Sequence, residues 1–142
     1  MDDDIPFEQA IAENNVARVE FLLRRQWYFL RRVDPNDWTK SNSGSPLFDA
    51  ASRGHLEIVK ALVRAGADID NMRSPGHSAI HSAASNGHLE VVRFLAQRGA
   101  SMGVDRDGST PLDLAEAAGH GDVAEFLRDF RPVFFRKPRF FI

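Results

Sequence analysis

The sequence contains no cysteine among its 142 residues. This absence excludes disulfide bonds, cysteine-ligated zinc, iron–sulfur clusters and a catalytic thiol. The sequence also lacks an apolar run of the roughly 20 residues that a membrane-spanning helix needs. It begins with acidic residues (MDDDIPFEQA), whereas a secretory signal begins with basic residues and continues with an apolar stretch. We therefore expect a soluble cytoplasmic protein, with the nucleus as the alternative compartment.

An excess of charge of either sign is also missing. The 18 Lys and Arg residues and the 20 Asp and Glu residues give a formal net charge of −2. Because nucleic-acid binding requires a basic excess, we expect no nucleic-acid partner. The sequence does have 43% hydrophobic and 27% charged residues, a composition typical of a folded domain. Its length is that of one folding unit of ordinary size.

The strongest positive signal is an internal repeat of about 33 residues. The segment AASRGHLEIV at residues 50–59 recurs as AASNGHLEVV at residues 83–92. A third copy begins with TPLDLA at residues 110–115. A fainter copy precedes the first clear one and keeps its apolar spacing. The chain is therefore expected to be built from four related units.

Each copy predicts two short helices that are joined by a tight turn and followed by an extended loop. The first helix of a unit begins with a hydroxyl side chain as N-cap. These N-cap residues are Ser45, Ser78 and Thr110. The turn requires a left-handed residue. The turn positions hold Gly54, Gly87 and Gly119, with Asn14 in the faint copy. Two short helices cannot bury their apolar faces alone, so the units are expected to stack into a solenoid.

These motifs resemble those of the ankyrin repeat over about residues 5–130. The family's Thr-Pro-Leu-His tetrapeptide appears as SPLF at residues 45–48, SAIH at 78–81 and TPLD at 110–113. The resemblance implies an all-α solenoid of helix–turn–helix units with short hairpin loops over residues 1–130. The units are expected at about residues 5–38, 39–71, 72–104 and 105–130.

The resemblance also implies a non-catalytic module that binds another protein through its hairpin tips and the inner face of its first helices. Carrying the family's binding positions over gives a set of mostly small and polar residues. These residues are Thr39, Ser41, Asn42, Ser52, Arg53, Met72, Ser74, His77, Ser85, Asn86, Val104, Arg106, Asp107 and Ser109. The last unit is similar to the final repeat of the ankyrin inhibitors of cyclin-dependent kinases, and kinase inhibition is therefore an alternative function.

No pattern for catalysis or for a cofactor is recognisable in the sequence. His55, His88 and His120 occupy the same turn position in three units, which indicates a structural role. Stacked helices lie about 8–10 Å apart, too far for these side chains to share a zinc ion with bonds of about 2 Å. Residues 105–108 (DRDG) predict a hairpin turn, since the other ligands of a calcium loop are missing. We expect no enzyme activity, cofactor, metal ion or small-molecule substrate, and a hydrolase or metal enzyme is the least favoured alternative.

The first unit departs from the repeat because Gln26 stands where later units have glycine. Without that stop, the second helix is expected to continue to about residue 33, within an insertion at about residues 26–38. The insertion contains Trp27, Tyr28 and Trp38. These residue types are enriched at binding hot spots. The alternative is that their side chains cover the second repeat.

The tail at residues 131–142 is aromatic and basic. It carries no acidic side chain, and residues 130–142 hold five of the 11 phenylalanines. One interpretation is that the tail covers the open end of the solenoid. A second is based on Arg131, Val133 and Phe135, which resemble the docking motif for protein phosphatase 1 and would make the chain a regulatory subunit of that enzyme. The third is self-association, with contact to a membrane surface as its less expected form.

Overall fold

The structure, a computed structural model, describes residues 7–25, 45–72 and 76–130. Within these ranges the chain forms eight α-helices connected by turns and loops. In chain order they are α1 Phe7–Ala12, α2 Val16–Arg25, α3 Pro46–Arg53, α4 Leu56–Arg64, α5 Ala79–Ser85, α6 Leu89–Gln97, α7 Pro111–Ala117 and α8 Gly121–Asp129. The helices form four consecutive pairs, and the predicted all-α architecture is confirmed for the described residues.

The helix starts follow from the N-cap residues of the repeat. Ser45 Oγ accepts a hydrogen bond of 3.1 Å from the Phe48 N–H at the start of α3. At the start of α7, Thr110 Oγ1 accepts from the Asp113 N–H at 3.1 Å. The Asp113 carboxylate in turn accepts from the Thr110 N–H at 3.0 Å. These bonds satisfy N–H groups that have no partner within the helix, and they position both helices.

The core runs through the stack because each pair packs on the next. First helices contact first helices along α1, α3, α5 and α7, and second helices contact along α2, α4, α6 and α8. The largest fully buried apolar side chains come from every unit. They are Ile11, Val19, Leu47, Ile58, Val59, Leu62, Ile80, Val91, Val92, Leu95 and Val123. Each contributes about 1.5–3 kcal/mol by leaving water, so the units stabilise one another.

The turns within the pairs connect neighbouring units. The His88 imidazole donates from Nε2 to the Ser52 carbonyl at 2.9 Å, across to the preceding unit. His120 does the same with the Ser85 carbonyl at 3.1 Å. Asn14 has a φ of 54°, so the left-handed turn predicted for the faint copy is confirmed. The structural role predicted for the turn histidines is confirmed at His88 and His120.

Several predictions fall outside the described residues. These are the continuation of α2 over residues 26–33, the insertion with Trp27, Tyr28 and Trp38, and the tail with Arg131, Val133 and Phe135. Of the helices in the described ranges, none has the length and hydropathy that a membrane crossing requires.

Candidate functional site

Two inter-repeat loops lie side by side and are joined by hydrogen bonds. One precedes α5 and the other precedes α7. The Asp70 carboxylate accepts from the Ser101 N–H at 2.8 Å. His81 Nε2 donates to the Gly103 carbonyl at 3.0 Å. These bonds fix the second loop against the first.

Asp105 organises the loop before α7. Its Oδ1 atom accepts from the N–H groups of Asp107 and Ser109, each at 2.9 Å. The Gly108 N–H donates to the Asp105 carbonyl at 3.1 Å, so the hairpin turn predicted for residues 105–108 is confirmed. The Asp105 side chain is only 1% exposed. The Ser109 N–H, the Asp107 N–H and His77 together hold the pKa of Asp105 below its ordinary value.

His81 is the histidine of the SAIH tetrapeptide and is buried at the start of α5. Its Nδ1 atom lies 2.8 Å from Ser78 Oγ and 3.4 Å from the Ser78 nitrogen. Nδ1 accepts from the Ser78 N–H while Nε2 donates to the Gly103 carbonyl, so the ring carries one proton and is neutral. Burial lowers the pKa of His81 below its ordinary value of 6.5. The histidine therefore caps its own helix and holds the next loop at the same time.

His77 connects the two loops on their more exposed side. Its Nε2 atom lies 2.8 Å from Asp105 Oδ2. The His77 ring stacks on the His81 ring with centroids 5.9 Å apart and planes 6° from parallel. The ligand atoms of His77, Asp105 and Asp107 all lie within 4.8 Å of one another, which makes them the group of the described chain that could hold a metal ion.

Comparison with known proteins places the chain in a family. The family described as "Ankyrin repeats (3 copies)" matches residues 47–132. The chain belongs to the ankyrin-repeat family. Ankyrin repeat and SOCS box protein 12 of Mus musculus is 36% identical over 64 residues, which are 45% of this chain and 20% of that protein. Cyclin-dependent kinase 4 inhibitor B of Bos taurus is 31% identical over 112 residues, 79% of this chain and 57% of that protein. The chain thus spans less than two thirds of the length of either relative.

The ankyrin loops expose two large apolar side chains from the predicted binding set. Met72 is 53% exposed and Val104 is 56% exposed. Phe21 on α2, at 44%, is the third large hydrophobic side chain exposed in the described chain. Arg106 and Asp107 are exposed beside Val104 in sequence, and Ser109 is half-buried. The loops therefore supply most of the predicted binding residues that the structure describes.

The C-terminal ends of α3 and α5 supply the remaining described residues of the predicted binding set. Asn86 at the end of α5 donates to the Ser82 carbonyl at 2.9 Å and lies 3.5 Å from Ser52 Oγ. Arg53 forms an ion pair with Asp49 at 3.0 Å. Ser85 is half-buried. The structure therefore brings the predicted residues of the second and third units together at Ser52 and Asn86.

Part of the predicted set cannot be placed. Thr39, Ser41, Asn42 and Ser74 lie outside the described residues. Sequence reasoning, in turn, missed Asp105 as a site residue. The signal available was the aspartate that opens the DRDG turn, but nothing local to that turn indicates a bond to His77, which is 28 residues earlier.

Proposed function

We propose that this ankyrin-repeat protein is a non-catalytic module that binds a protein partner through its loop strip. The loop strip consists of Met72, His77, Val104, Arg106 and Asp107. The observation that carries the proposal is the exposure of Met72 and Val104, at 53% and 56%. The core does not need these side chains, and exposed apolar residues on a rigid surface favour a protein contact.

The loop strip also carries exposed residues of both charge signs, close to Val104 in the sequence. Arg106 and Asp107 are exposed. Within the described residues neither forms an ion pair. A partner can therefore pair with both signs of charge without breaking a bond inside this protein. Protein interfaces typically combine apolar side chains with polar and charged ones.

The bonds between the loops also favour binding. Asp70 to Ser101, His81 to Gly103 and His77 to Asp105 hold the loops in one arrangement before a partner arrives. A preorganised surface loses less conformational entropy on association. The buried titratable groups of this region, His81 and Asp105, make these structural bonds, which supports a binding function rather than a catalytic one.

The test is a double variant, Met72→Glu with Val104→Glu. We expect it to lose captured partners by at least about tenfold, because a few central residues carry most of an interface's binding energy. The melting temperature should stay unchanged, since both side chains are exposed. Chemical cross-linking in cell extract followed by mass spectrometry measures the loss. Phe21→Glu is the matched control because it changes an exposed apolar residue outside the loop strip. Equal capture by all three proteins would contradict the proposal.

Inhibition of a cyclin-dependent kinase is a second candidate. It is supported by the similarity to cyclin-dependent kinase 4 inhibitor B, which covers 79% of this chain. The experiment is a titration of purified cyclin-dependent kinase 4 with this protein, read by calorimetry and by kinase activity. Saturable binding that the double variant weakens supports the candidate. If the kinase neither binds nor loses activity, this second candidate is wrong.

A further inference from the structure

Three potential metal ligands from two ankyrin units meet at the loop strip. The nitrogen of His77 and the carboxylate oxygens of Asp105 and Asp107 all lie within 4.8 Å of one another. His77 precedes α5, whereas both aspartates precede α7. The group is therefore assembled by the stacking of two units and does not exist within either one alone.

Among the described residues, no lysine or arginine forms an ion pair with either carboxylate, and only the His77 imidazole faces Asp105. Asp105 is buried and ionised, and its bonds go to the N–H groups of Asp107 and Ser109 and to His77. The Asp107 carboxylate has no hydrogen bond or ion pair within the described chain. Arg106 stands between them in sequence, yet it pairs with neither. Two negative charges at this spacing repel each other, and a bound cation would relieve that repulsion.

Two of the three ligand side chains, His77 and Asp105, are also held in place. The stacked ring of His81 orients His77, and the loop N–H groups orient Asp105. Asp107 is the exposed member, and no hydrogen bond of its carboxylate within the described chain has to break for it to bind an ion. Rigid partners behind the ligands are typical of metal sites in proteins.

We propose that His77, Asp105 and Asp107 bind one zinc ion, with the fourth position of the tetrahedron open. One imidazole and two carboxylates are ligands that zinc accepts. Zinc bonds of about 2.0–2.1 Å place two tetrahedral ligand atoms about 3.3–3.4 Å apart. His77 Nε2 and Asp105 Oδ2 are 2.8 Å apart, so the ring moves by about half an ångström as the ion replaces the proton between them. The site goes beyond the proposed partner binding, which needs no metal.

The experiment titrates Zn²⁺ into the full chain at neutral pH and follows the binding by calorimetry. We expect one site that Asp107→Asn weakens by at least about tenfold, since even indirect changes to zinc sites cost about 10–100-fold. This variant keeps the Asp107 N–H and so leaves the Asp105 turn intact. His77→Gln should weaken the site as well. Asp129→Asn is the matched control, because it removes an exposed carboxylate from α8 and should leave the affinity unchanged.

A second measurement locates the ion. On addition of Zn²⁺, the ring nitrogen signals of His77 in a ¹⁵N NMR spectrum should shift before those of the other histidines. Loss of the site in Asp107→Asn together with this shift supports the proposal. An absence of binding overturns it, and so does binding of equal strength in the wild type, Asp107→Asn and His77→Gln, which would mark an adventitious ion only.

Discussion

The tight turns of the inner units and of the last unit share a backbone conformation but differ in their surroundings. Gly54, Gly87 and Gly119 have left-handed φ values of +74°, +75° and +78°. A Cβ atom at Gly54 would lie 2.5 Å from His88 Nδ1, and one at Gly87 would lie 2.6 Å from His120 Nδ1. At Gly119, no described atom lies within 4 Å of that position.

The difference shows that one glycine of the repeat has two separable functions. The first is local, because a left-handed turn disfavours any residue with a Cβ atom. The second depends on the next unit, whose histidine needs the space to reach a carbonyl of the unit before. His88 reaches Ser52 and His120 reaches Ser85 in this way. Gly119 lies in the turn of the last described helix pair, between α7 and α8, and only the local function is visible there.

The largest expected contrast between inner and last units is in the core. Leu62 is fully buried on α4, a helix that packs against both α2 and α6, whereas Leu127 on α8 is only partly buried. Leu62→Ala should cost about 2–5 kcal/mol because it leaves a cavity. Leu127→Ala should cost about 1 kcal/mol, a typical value for a point variant. Urea denaturation of both variants measures the difference. Equal losses would mean that the last unit is packed as tightly as the inner ones.

The turn glycines provide the next contrast. Gly119→Ala should cost about 1–2 kcal/mol, the penalty for a Cβ atom in the left-handed region. Gly87→Ala should cost about 2–5 kcal/mol, because its Cβ atom also meets the His120 ring and overpacking adds about 1–3 kcal/mol. Chemical denaturation measures both values.

A double-mutant cycle separates the two contributions at Gly87. In a His120→Ala background, Gly87→Ala should cost no more than Gly119→Ala does in the wild type, because the ring that it meets is gone. The coupling energy then equals the packing contribution. A cycle that closes without coupling would show that the ring moves aside freely, and the comparison between the turns would fail.

The repeat in the sequence was enough to predict the helix pairs and their turns. Gly54 and Gly87 lie 33 residues apart, at the same position of the repeat. The left-handed turn that glycine permits depends only on local sequence. The contact of each glycine with the histidine of the next unit was not predictable from those residues. It depends on how one unit lies on another, and nothing in the GH dipeptide specifies which carbonyl the imidazole reaches.

The site was predictable to a smaller extent. Met72 and Val104 followed from the family's binding positions, and both proved exposed. Asp105 was predicted only to begin a hairpin turn, because its local sequence fully explains such a turn. Its second bond, to His77, and the approach of Asp107 to the same ring depend on packing between units. Short-range patterns do not carry that information.

The outer side of the last unit gives the third contrast. In that unit Phe126, Leu127 and Phe130 are only partly buried, although Phe126 also lies under the guanidinium of Arg93 on α6. We predict that the tail covers this side, so deletion of residues 131–142 should lower stability by about 1.5–3 kcal/mol for each phenylalanine exposed. Thermal denaturation, with calorimetry to give the free energy, measures this. A deletion of residues 136–142 alone is the matched control, since it keeps Phe134 and Phe135 and should cost less.

The alternatives for the tail give different results in the same experiment. If the longer deletion leaves stability unchanged but abolishes binding to purified protein phosphatase 1, the docking interpretation based on Arg131, Val133 and Phe135 holds. If stability is unchanged and a dimer is lost in sedimentation, self-association holds. The covering interpretation is wrong in both cases.

The smallest expected effect concerns how the stability of the inner units changes in acid. Burial lowers the pKa values of His55 and His81 below 6.5 in the folded chain. The unfolded chain therefore takes up protons first as the pH falls below about 6.5, and stability is lost in that window. The pKa of Asp105 is lowered from 3.8, so its contribution is present above that value and is lost as the pH falls below it. Denaturation midpoints from pH 8 to pH 3 should decline in these two steps. His81→Gln should flatten the upper step and Asp105→Asn the lower one. A midpoint that stays constant down to pH 4 would show instead that the burial of His55 and His81 costs no stability in acid.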